Sequence, residues 1–424
     1  MQYCDMNRDE LLKLKEDIEK KYLEFKSKNL SLDMSRGKPG RDQLELSMDM
    51  LDCLKKSEDY ITVNGVDSRN YGCLEGIPEA RTLMAELLDV KSNNVIIGGS
   101  SSLNLMFDYI STAMYKGICG GKPWLLQGNV KFLCPVPGYD RHFAICEYLG
   151  IEMINVPMLD DGPDVEMVKH FVEEPSVKGM FCVPKYSNPE GKVYSDSVVK
   201  ALSNLRPAAD DFRIIWDNAY CIHSLYESDD KLLNIISESK IAGNPDIAVE
   251  FTSTSKISFP GSGISAIAAS DNNIKDILSR MNIQTICSNN VNQMRHAKYF
   301  GDVAGIKKHM EKHASILRPR FKTVLDCLKA ELDGLGIAKW IEPRGGYFVS
   351  IDVLEGCAKR VCELCREAGV ALTNAGATFP YGRDPKDSNI RLAPSYPAVD
   401  ELSQAIEIFC ISVKIAAIEK LLTK

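Results

Sequence analysis

The sequence lacks a long apolar run and an excess of basic residues, and its first residues are not expected to form a secretory leader. No apolar stretch approaches the roughly 20 residues that a membrane-spanning helix needs. The net charge is −7, with 51 basic and 58 acidic residues, which argues against a nucleic-acid-binding protein because phosphates reward clustered Lys and Arg. The opening segment is charged throughout, which excludes a secretory signal. We therefore expect a cytoplasmic protein that contacts neither nucleic acid nor membrane.

Cysteine is present, but its pattern favours neither a disulfide scaffold nor a zinc site. The 14 cysteines are scattered along the 424 residues, and without a signal peptide they are expected to be reduced and mostly buried. Cys362 and Cys365 form a CxxC in a helix-like stretch, whereas a structural zinc ion needs four ligands. A redox or zinc protein built on this pair therefore fails on ligand count.

The histidine pair His309 and His313 also falls short of a metal motif. Met310 occupies the position where the HExxH motif requires glutamate. We interpret the run KKHMEKH as a solvated helix face, and we predict no metal site in the chain.

Helical patterns and short apolar strands alternate from about residue 75 onward. NVIIGG, KFLCPV and FRIIW are strand-like, and amphipathic helical stretches separate most such runs. This alternation predicts an α/β fold with a mainly parallel sheet covered on both faces. Residues 8–28 are predicted to form a charged helix that begins with a capping box of Asn7 and Glu10.

The chain length and a change of character near residue 290 indicate more than one structural unit. Domains mostly run about 100–200 residues, so two or three units are expected. A long helical stretch, with a break expected near Pro319, leads into a smaller α+β unit. We predict a large domain of residues 51–310 and a discontinuous small domain of residues 1–50 and 311–424.

Polar clusters follow five of the predicted strands at the point where each strand ends. They are Ser100-Ser101-Ser102, Pro137-Gly138-Tyr139, Asn188-Pro189, Asp217-Asn218-Ala219-Tyr220 and Ser253-Thr254-Ser255-Lys256. Because ligands of open parallel sheets bind at the carboxyl ends of strands, we expect these clusters to form one site. Each cluster alone is weak, since a GGSSS turn also suits a helix N-cap and a lone lysine is usually a surface charge.

Eight stretches together resemble fold-type I, class I/II pyridoxal-phosphate aminotransferases. They are SRGKPG, NYGCLEGIPEAR, KFLCPVPGYDRHF, YSNPEG, WDNAY, STSKISFPG, GGYF and NIRLAPS. The resemblance is greatest to a divergent subgroup of aspartate aminotransferases. It implies a large domain with a mainly parallel seven-stranded sheet, a smaller α+β domain, pyridoxal 5′-phosphate (PLP) as cofactor and a homodimer with shared active sites.

The resemblance also implies a role for the residues at the strand ends. Lys256 matches the Schiff-base lysine, whose amine later carries a proton between the substrate α-carbon and the cofactor. Asp217 matches the carboxylate that keeps the ring nitrogen protonated, and Tyr220 matches the phenol at the ring 3-oxygen. Asn188 matches the amide at the same oxygen. Tyr139 matches the aromatic ring that stacks on the cofactor.

A phosphate site and a carboxylate site follow from the same resemblance. The expected phosphate ligands are helix N–H groups and hydroxyls of Ser100, Ser101, Ser102, Ser253 and Ser255. Tyr71 matches a tyrosine that reaches the phosphate of the neighbouring subunit. Arg391 matches the arginine that binds the substrate α-carboxylate in a planar, bidentate way.

The sequence departs from the family pattern at two places. Most relatives carry an arginine about seven to eight residues after the lysine, where this chain has only Ser258 and Ser262 as polar residues; Arg36 or Lys38 is a candidate replacement. The arginine that binds the distal carboxylate of aspartate is also missing, because QTICSNNVNQ contains none. We expect Arg36 to take that role, since its segment, including Gly37, lines the substrate in the family. The alternative is an arginine that organises the amino-terminal segment.

The predicted function is transfer of an amino group from aspartate or another acidic amino acid to a 2-oxo acid such as 2-oxoglutarate. An alanine-type aminotransferase is the second choice, and a C–S lyase or decarboxylase would use the same lysine, aspartate and tyrosines. A non-enzymatic regulator would need an added DNA-binding domain. The residues before Tyr71 contain neither a helix-turn-helix pattern nor a basic patch.

Overall fold

A computed structural model describes residues 2–227 and 230–423 of the chain. The α-helices in these ranges are α1 (Arg8–Ser27), α2 (Arg41–Glu45), α3 (Pro78–Leu88), α4 (Ser102–Tyr115), α5 (Asp140–Leu149), α6 (Val165–Phe171), α7 (Asp196–Ser203), α8 (Ile235–Ile241), α9 (Asp271–Gln284), α10 (Asn290–Phe300), α11 (Val303–Leu332), α12 (Ala358–Glu367) and α13 (Val399–Leu422). The strands are β1 (Leu32–Asp33), β2 (Val95–Gly98), β3 (Lys131–Val136), β4 (Glu152–Leu159), β5 (Gly162–Pro163), β6 (Val177–Cys182), β7 (Arg213–Asp217), β8 (Ala248–Ser253), β9 (Ser265–Ala269), β10 (Ala338–Trp340), β11 (Val349–Val353), β12 (Val370–Ala371) and β13 (Asn389–Leu392).

The central sheet has the strand order β2-β9-β8-β7-β6-β3-β4-β5. The strands from β8 through β7, β6 and β3 to β4 are all parallel, whereas β9 runs antiparallel to both of its neighbours. Every residue of β6, β7 and β8 is buried, as expected for strands with helices on both faces. The α/β prediction is confirmed, and the two-residue edge strand β5 adds an eighth strand to the predicted seven.

A second sheet carries the carboxyl-terminal part of the site. Strands β10, β11 and β13 form this antiparallel sheet, in which Arg391 of β13 lies opposite Ser350 of β11. Strand β1 from the amino-terminal segment pairs in parallel with β12, with Leu32 opposite Val370. The segment that follows β1 is therefore held close to the second sheet.

Helix α1 packs against α13, so the two ends of the chain share one core. The capping box is present, because Asn7 Oδ1 accepts from the Glu10 amide at 3.0 Å and the Glu10 carboxylate accepts from the Asn7 amide at 2.8 Å. Leu11, Ile18 and Tyr22 lie on one face of α1 and are buried. This contact agrees with a small domain of residues 1–50 and 311–424, although the domain boundaries stay a prediction.

The predicted helix break near Pro319 is wrong, because α11 runs unbroken from Val303 to Leu332. A proline inside a helix costs about 3 kcal/mol through a lost hydrogen bond and a steric clash. Leu317, Phe321 and Val324 are fully buried in the core that includes α13, and each such side chain contributes about 1.5–3 kcal/mol when buried. Tertiary packing therefore outweighs the local penalty.

The predicted solvated face at the histidine pair is also wrong. His309 is 5% exposed and His313 is 1% exposed. They lie on the face of α11 that also buries Ile306 and Met310, because residues three to four apart share one side of a helix. The lysines and glutamate of KKHMEKH occupy the opposite, exposed face.

The CxxC pair lies within the core and not at a metal site. Cys362 and Cys365 are buried free thiols, and burial raises their pKa values to about 11 and about 12. Residues 2–227 and 230–423 contain no group of three His, Cys, Asp or Glu side chains arranged to hold a metal ion. The same ranges contain no helix that is both long and apolar enough to cross a bilayer.

Candidate active site

A cavity of about 620 Å³ lies at the carboxyl ends of the central strands and is closed on one side by the second sheet. This volume is typical of a small-molecule site. All but two of the sequence-predicted site residues line it, namely Arg36, Gly37, Ser101, Ser102, Tyr139, Asn188, Asp217, Tyr220, Ser253, Ser255, Lys256 and Arg391. The two exceptions are Ser100 and Tyr71.

Lys256 follows β8 and reaches the cavity beside two aromatic rings. Its Nζ lies 5.0 Å from the ring centroid of Tyr220 and 5.9 Å from that of Tyr347. Burial lowers the pKa of the Lys256 amine, because an ammonium group loses hydration, while the Asp217 carboxylate acts in the opposite direction. A lowered pKa increases the neutral, nucleophilic fraction of the amine.

Asp217 ends β7 with one satisfied carboxylate oxygen and one unsatisfied oxygen. Its Oδ2 accepts from His142 Nε2 at 3.0 Å, and the His142 ring stacks on Phe181 at a centroid distance of 4.4 Å. Its Oδ1 is buried without a hydrogen-bond partner among the residues described. Since an unpaired buried acceptor costs free energy, a ligand that offers an N–H group would complete this carboxylate.

Two tyrosines flank Asp217 and keep their protons. Burial raises the pKa of Tyr220 well above its ordinary value and raises that of Tyr139 to about 12. The negative charge of Asp217 acts in the same direction on both phenols. Tyr220 and Tyr139 are therefore hydrogen-bond donors at neutral pH.

Sequence reasoning missed the first turn of α5. Asp140 and Arg141 line the cavity directly after Tyr139, and His142 supports Asp217. The signal was available, since a helix that starts at a strand end directs its first turn toward the same edge of the sheet as the strand-end cluster. Arg141 makes no ion pair within the described ranges and adds a cation to the cavity.

Arg391 is almost fully buried and holds several acceptors. Its Nη1 donates to Asp140 Oδ1 at 2.9 Å and to Asn188 Oδ1 at 3.2 Å, and its Nη2 donates to Thr373 Oγ1 at 3.3 Å. The guanidinium lies 4.9 Å from the ring centroid of Phe348. Its Nε has no partner in the described part of the chain. Arg391 is thus fixed in place by neighbours and keeps capacity for another acceptor.

Serine hydroxyls and the first turn of α4 form the end of the cavity away from Arg391. Ser101 is the N-cap residue of α4, but its side chain makes no capping hydrogen bond, and the first turn has no acidic residue. Ser255 Oγ donates to the Ser100 carbonyl at 2.8 Å and accepts from Ser253 Oγ at 3.1 Å. These bonds join the loop after β8 to the start of α4. The uncapped N–H groups and the hydroxyls suit an anion.

The segment after β1 forms a cationic wall of the cavity. A Cβ atom on Gly37 would lie 2.4 Å from Phe348 Cζ, so only glycine permits this close approach. Arg36 and Lys38 are exposed beside it and line the cavity. The Lys38 ammonium lies 3.8 Å from the ring centroid of Tyr396.

Ser258 and Ser262 do not line the cavity in place of the missing arginine. Ser258 is fully buried, and its Oγ lies 2.8 Å from His296 Nε2. Ser262 Oγ donates to Asn292 Oδ1 at 3.4 Å. Both serines therefore bond within the protein and leave the anion-binding end of the cavity to other groups.

The buried carboxyl group of Glu250 lies on strand β8, opposite Trp216, the residue that precedes Asp217 on β7. Glu250 Oε1 accepts from Asn218 Nδ2 at 2.8 Å, and burial raises the pKa of Glu250 to about 7. Because the folded-state pKa lies above the unfolded value, the stabilising effect of this proton is complete below about pH 4.5 and is lost as the pH rises through 7. At about 1.4 kcal/mol per pKa unit, the effect is roughly 3 kcal/mol.

The Glu250→Gln variant carries no such proton. We expect its free energy of unfolding, relative to the parent, to increase by about 2.5 kcal/mol between pH 5 and pH 8. Urea denaturation at several pH values measures this difference, with Glu147→Gln as the control because Glu147 is exposed. A constant difference across the pH range would mean that Glu250 ionises normally.

Comparison with known proteins gives the family. Residues 6–424 match the family model for aspartate amino-transferase. An aspartate aminotransferase of Corynebacterium glutamicum is 46% identical over 405 residues, covering 95% of this chain and 94% of that protein. A putative aminotransferase of Mycolicibacterium smegmatis is 42% identical over 425 residues, covering 100% and 99%.

Solved structures agree with the sequence matches. A crystal structure of an aspartate transaminase from C. glutamicum superimposes with a TM-score of 0.97 at 45% identity and covers 99% of both chains. The α-aminoadipate aminotransferase of Thermus thermophilus, complexed with N-(5′-phosphopyridoxyl)-L-leucine, has a TM-score of 0.74 at 17% identity, covers 92% of this chain and 93% of its own, and shares the fold. The fold-type I prediction is confirmed. The chain therefore belongs to the aspartate amino-transferase family and is an aminotransferase.

Proposed function

We propose that the chain is a PLP-dependent aminotransferase that takes the amino group of aspartate or another acidic amino acid and passes it to a 2-oxo acid such as 2-oxoglutarate. The observation that carries this proposal is that the Lys256 amine shares one cavity with an Asp217 oxygen that is buried without a hydrogen-bond partner among the described residues. The acidic donor is supported by the C. glutamicum relative, which is an aspartate aminotransferase.

The residues present fit the cofactor. Asp217 Oδ1 lacks a donor in the described part of the chain, and a protonated pyridine nitrogen is a donor of the required kind. Lys256 offers the primary amine that binds the cofactor aldehyde, and its lowered pKa favours the reactive form. When bound, PLP supplies an electron sink for the bonds at the substrate α-carbon.

The chain's own groups then hold the ring and move the proton. Tyr220, through its phenol, and Asn188, through its amide, would donate hydrogen bonds to an oxygen of the ring, and the aromatic ring of Tyr139 would pack against the cofactor. His142 fixes the Asp217 carboxylate through the 3.0 Å hydrogen bond. The Lys256 amine, once free, takes the proton from the substrate α-carbon as a general base.

The phosphate fits the uncapped start of α4. The N–H groups after Ser101 and the Ser102 hydroxyl offer donors without a competing acidic side chain, and the hydroxyls of Ser253 and Ser255 would join them by rotating away from their present acceptors. Ser100 takes part through its carbonyl oxygen, which accepts a hydrogen bond from the Ser255 hydroxyl. Because Ser258 and Ser262 bond elsewhere, we infer that the phosphate relies on backbone donors and on cations outside this loop.

The α-carboxylate of the substrate fits Arg391. The guanidinium already donates to one carboxylate, that of Asp140, and its Nε keeps an unused N–H donor within the described residues. Asn188 Oδ1 fixes the same guanidinium at 3.2 Å. Since Arg391 belongs to the second sheet and Lys256 follows the central sheet, a bound substrate contacts both.

A homodimer with shared active sites is part of the proposal. The Tyr71 side chain is 74% exposed and does not line the cavity of its own chain, as expected for a residue that serves a neighbouring subunit. The phenol would then bind the phosphate in the partner's site. We also propose that the protein is cytoplasmic and acts on small molecules without nucleic acid or membrane.

A panel of amino donors with 2-oxoglutarate tests the proposed function. Aspartate should give glutamate and oxaloacetate, whereas an alanine-type enzyme would prefer alanine. Release of carbon dioxide with alanine as product would instead identify a decarboxylase. Sulfide release from cysteine would identify a C–S lyase.

Arg36 is the proposed ligand of the distal carboxylate. We expect Arg36→Ala to lower kcat/KM for aspartate about 10- to 100-fold while changing that for alanine little, because a charged hydrogen bond is worth about 1.5–3 kcal/mol. Arg41→Ala is the matched control, since Arg41 is exposed and pairs with Glu45. Equal losses for both donors would mean that Arg36 organises its segment and does not bind the carboxylate.

A further inference from the structure

A buried pair of histidines lies behind the loop that carries Lys256. His309 Nε2 lies 2.9 Å from the carbonyl oxygen of Ile257, the residue that follows Lys256. His313 Nε2 lies 3.1 Å from His309 Nε2. Neither ring lines the cavity, and the mechanism above does not use them. Their contacts nevertheless determine where each ring carries its proton.

Gln43 fixes the proton of His313. The Gln43 Oε1 accepts from the Gly40 amide at 3.1 Å, which sets the orientation of the side-chain amide. Its Nε2 then donates to the Tyr347 hydroxyl oxygen at 3.0 Å and faces His313 Nδ1 at 3.1 Å. Because an amide nitrogen only donates, His313 Nδ1 must be the acceptor. A neutral His313 therefore carries its proton on Nε2.

The Ile257 carbonyl fixes the proton of His309. A carbonyl oxygen only accepts, so His309 must carry a proton on Nε2. Ser47 Oγ, at 3.2 Å from the same nitrogen, is a second and longer contact. The two Nε2 atoms are thus both donors and cannot bond to each other. His309 donates to the Ile257 carbonyl at 2.9 Å, and His313 Nε2 lies directly behind this contact, 3.1 Å from His309 Nε2.

The neutral state of the pair agrees with its surroundings. Burial lowers the pKa of His309, and burial together with the charge of a neighbouring imidazolium lowers that of His313 to about 3. The Ile257 carbonyl acts in the opposite direction and raises the pKa of both rings. At neutral pH neither ring carries a charge.

We propose that His309 and His313 are positioning residues: His309 clamps the Ile257 carbonyl with its Nε2–H, His313 holds the His309 ring from behind, and together they hold the backbone beside Lys256. This histidine clamp is tied through Gln43 to Gly40, at the end of the segment that lines the cavity, and to Tyr347, whose ring packs 5.9 Å from the Lys256 amine. The clamp itself follows from the contacts, but its effect on turnover rests on the proposed function of Lys256.

The proton positions are tested by NMR of the full chain labelled with ¹⁵N-histidine. We expect His309 and His313 to be neutral at pH 7 with the proton on Nε2. His296 is an internal contrast, because its Nδ1 lies 2.8 Å from the Asn292 carbonyl and must donate from that nitrogen. Spectra of single His→Gln variants assign the signals. A proton on Nδ1 of His309 or His313 would overturn the clamp without bearing on Lys256.

The hold on the loop is tested by hydrogen exchange of the peptide around residues 254–263. His309→Phe, which cannot donate, should speed exchange about tenfold, whereas His309→Gln can still donate from its Nε2 and should restore protection. Ser47→Ala is the control, since Ser47 contacts His309 but not Ile257. Unchanged exchange in His309→Phe, or equal exchange in Phe and Gln variants, contradicts the proposal. These measurements need no cofactor, so they remain decisive if the chain does not bind PLP.

Turnover gives the functional readout. His309→Phe should lower kcat about tenfold with little change in KM, because Arg391 and Arg36 lie away from the clamp, and His309→Gln should recover most of it. A parent chain without transaminase activity would refute the proposed function and leave the exchange result standing. If a stably folded His309→Phe variant kept full activity although its loop exchanged faster, the clamp would hold the loop without affecting turnover. That outcome would refute the proposed effect on kcat.

Discussion

Replacing Lys256 with alanine is expected to lower turnover of aspartate and 2-oxoglutarate by roughly 10⁴-fold or more. The variant lacks both the amine that binds the cofactor and the general base that moves the substrate proton, and general base catalysis alone contributes about 10²- to 10⁴-fold. The visible absorbance band of the lysine-bound cofactor should disappear at the same time. Steady-state assay and an absorbance spectrum of the purified protein measure the two effects.

Two controls separate loss of chemistry from loss of fold. Lys275→Ala removes an exposed lysine from α9 and should leave turnover unchanged. Small free amines such as methylamine should restore part of the activity of Lys256→Ala, because the removed side chain leaves space beside Tyr220 and Tyr347. Turnover at the parent rate with the absorbance band intact would refute the assignment of Lys256.

Asp217→Asn is expected to lower kcat by about 10²- to 10⁴-fold while the cofactor stays bound. Breaking a buried charge pair costs about 3–5 kcal/mol, which corresponds to that range of rates. The amide can still accept from His142 through its oxygen, but its nitrogen is a donor and no longer stabilises a protonated ring nitrogen. Two measurements are needed: the absorbance spectrum gives the cofactor content of the variant, and a steady-state assay gives its kcat.

The matched control is Asp211→Asn. Asp211 lies just before the other end of β7, pairs with Lys178 at 2.8 Å and does not line the cavity. Its replacement should leave kcat within about threefold, because neither Asp211 nor Lys178 lines the cavity. If both aspartate variants lost activity equally, Asp217 would act on the stability of the strand and not on the cofactor.

The sequence predicted those parts of the site whose residues lie close together in the chain. The strand-end clusters containing Asp217 and Lys256 follow from the alternation of apolar strands with helices, because parallel strands end at one edge of a sheet. The capping box of Asn7 and Glu10 is equally local and is present. Twelve of the fourteen residues selected from the sequence line one cavity.

The remainder depends on contacts between distant parts of the chain. The two histidines of KKHMEKH are buried because Gln43, about 270 positions away, and the Ile257 carbonyl meet them, and no local pattern contains those partners. Pro319 is tolerated for the same kind of reason, since the packing of α11 in the core decides its cost. Arg141 was missed for a different reason, since it directly follows the strand-end cluster of Tyr139 and the local pattern contained the signal.

The packing of α1 on α13 has a consequence for how the protein is made. The ribosome synthesises α1 long before α13, so the apolar face formed by Leu11, Ile18 and Tyr22 lacks this partner until α13 has emerged. Arg391 also emerges late, after all the other residues of the site. A nascent chain therefore exposes an amphipathic helix throughout translation, and molecular chaperones that shield such surfaces are expected to bind it until the last helix is released.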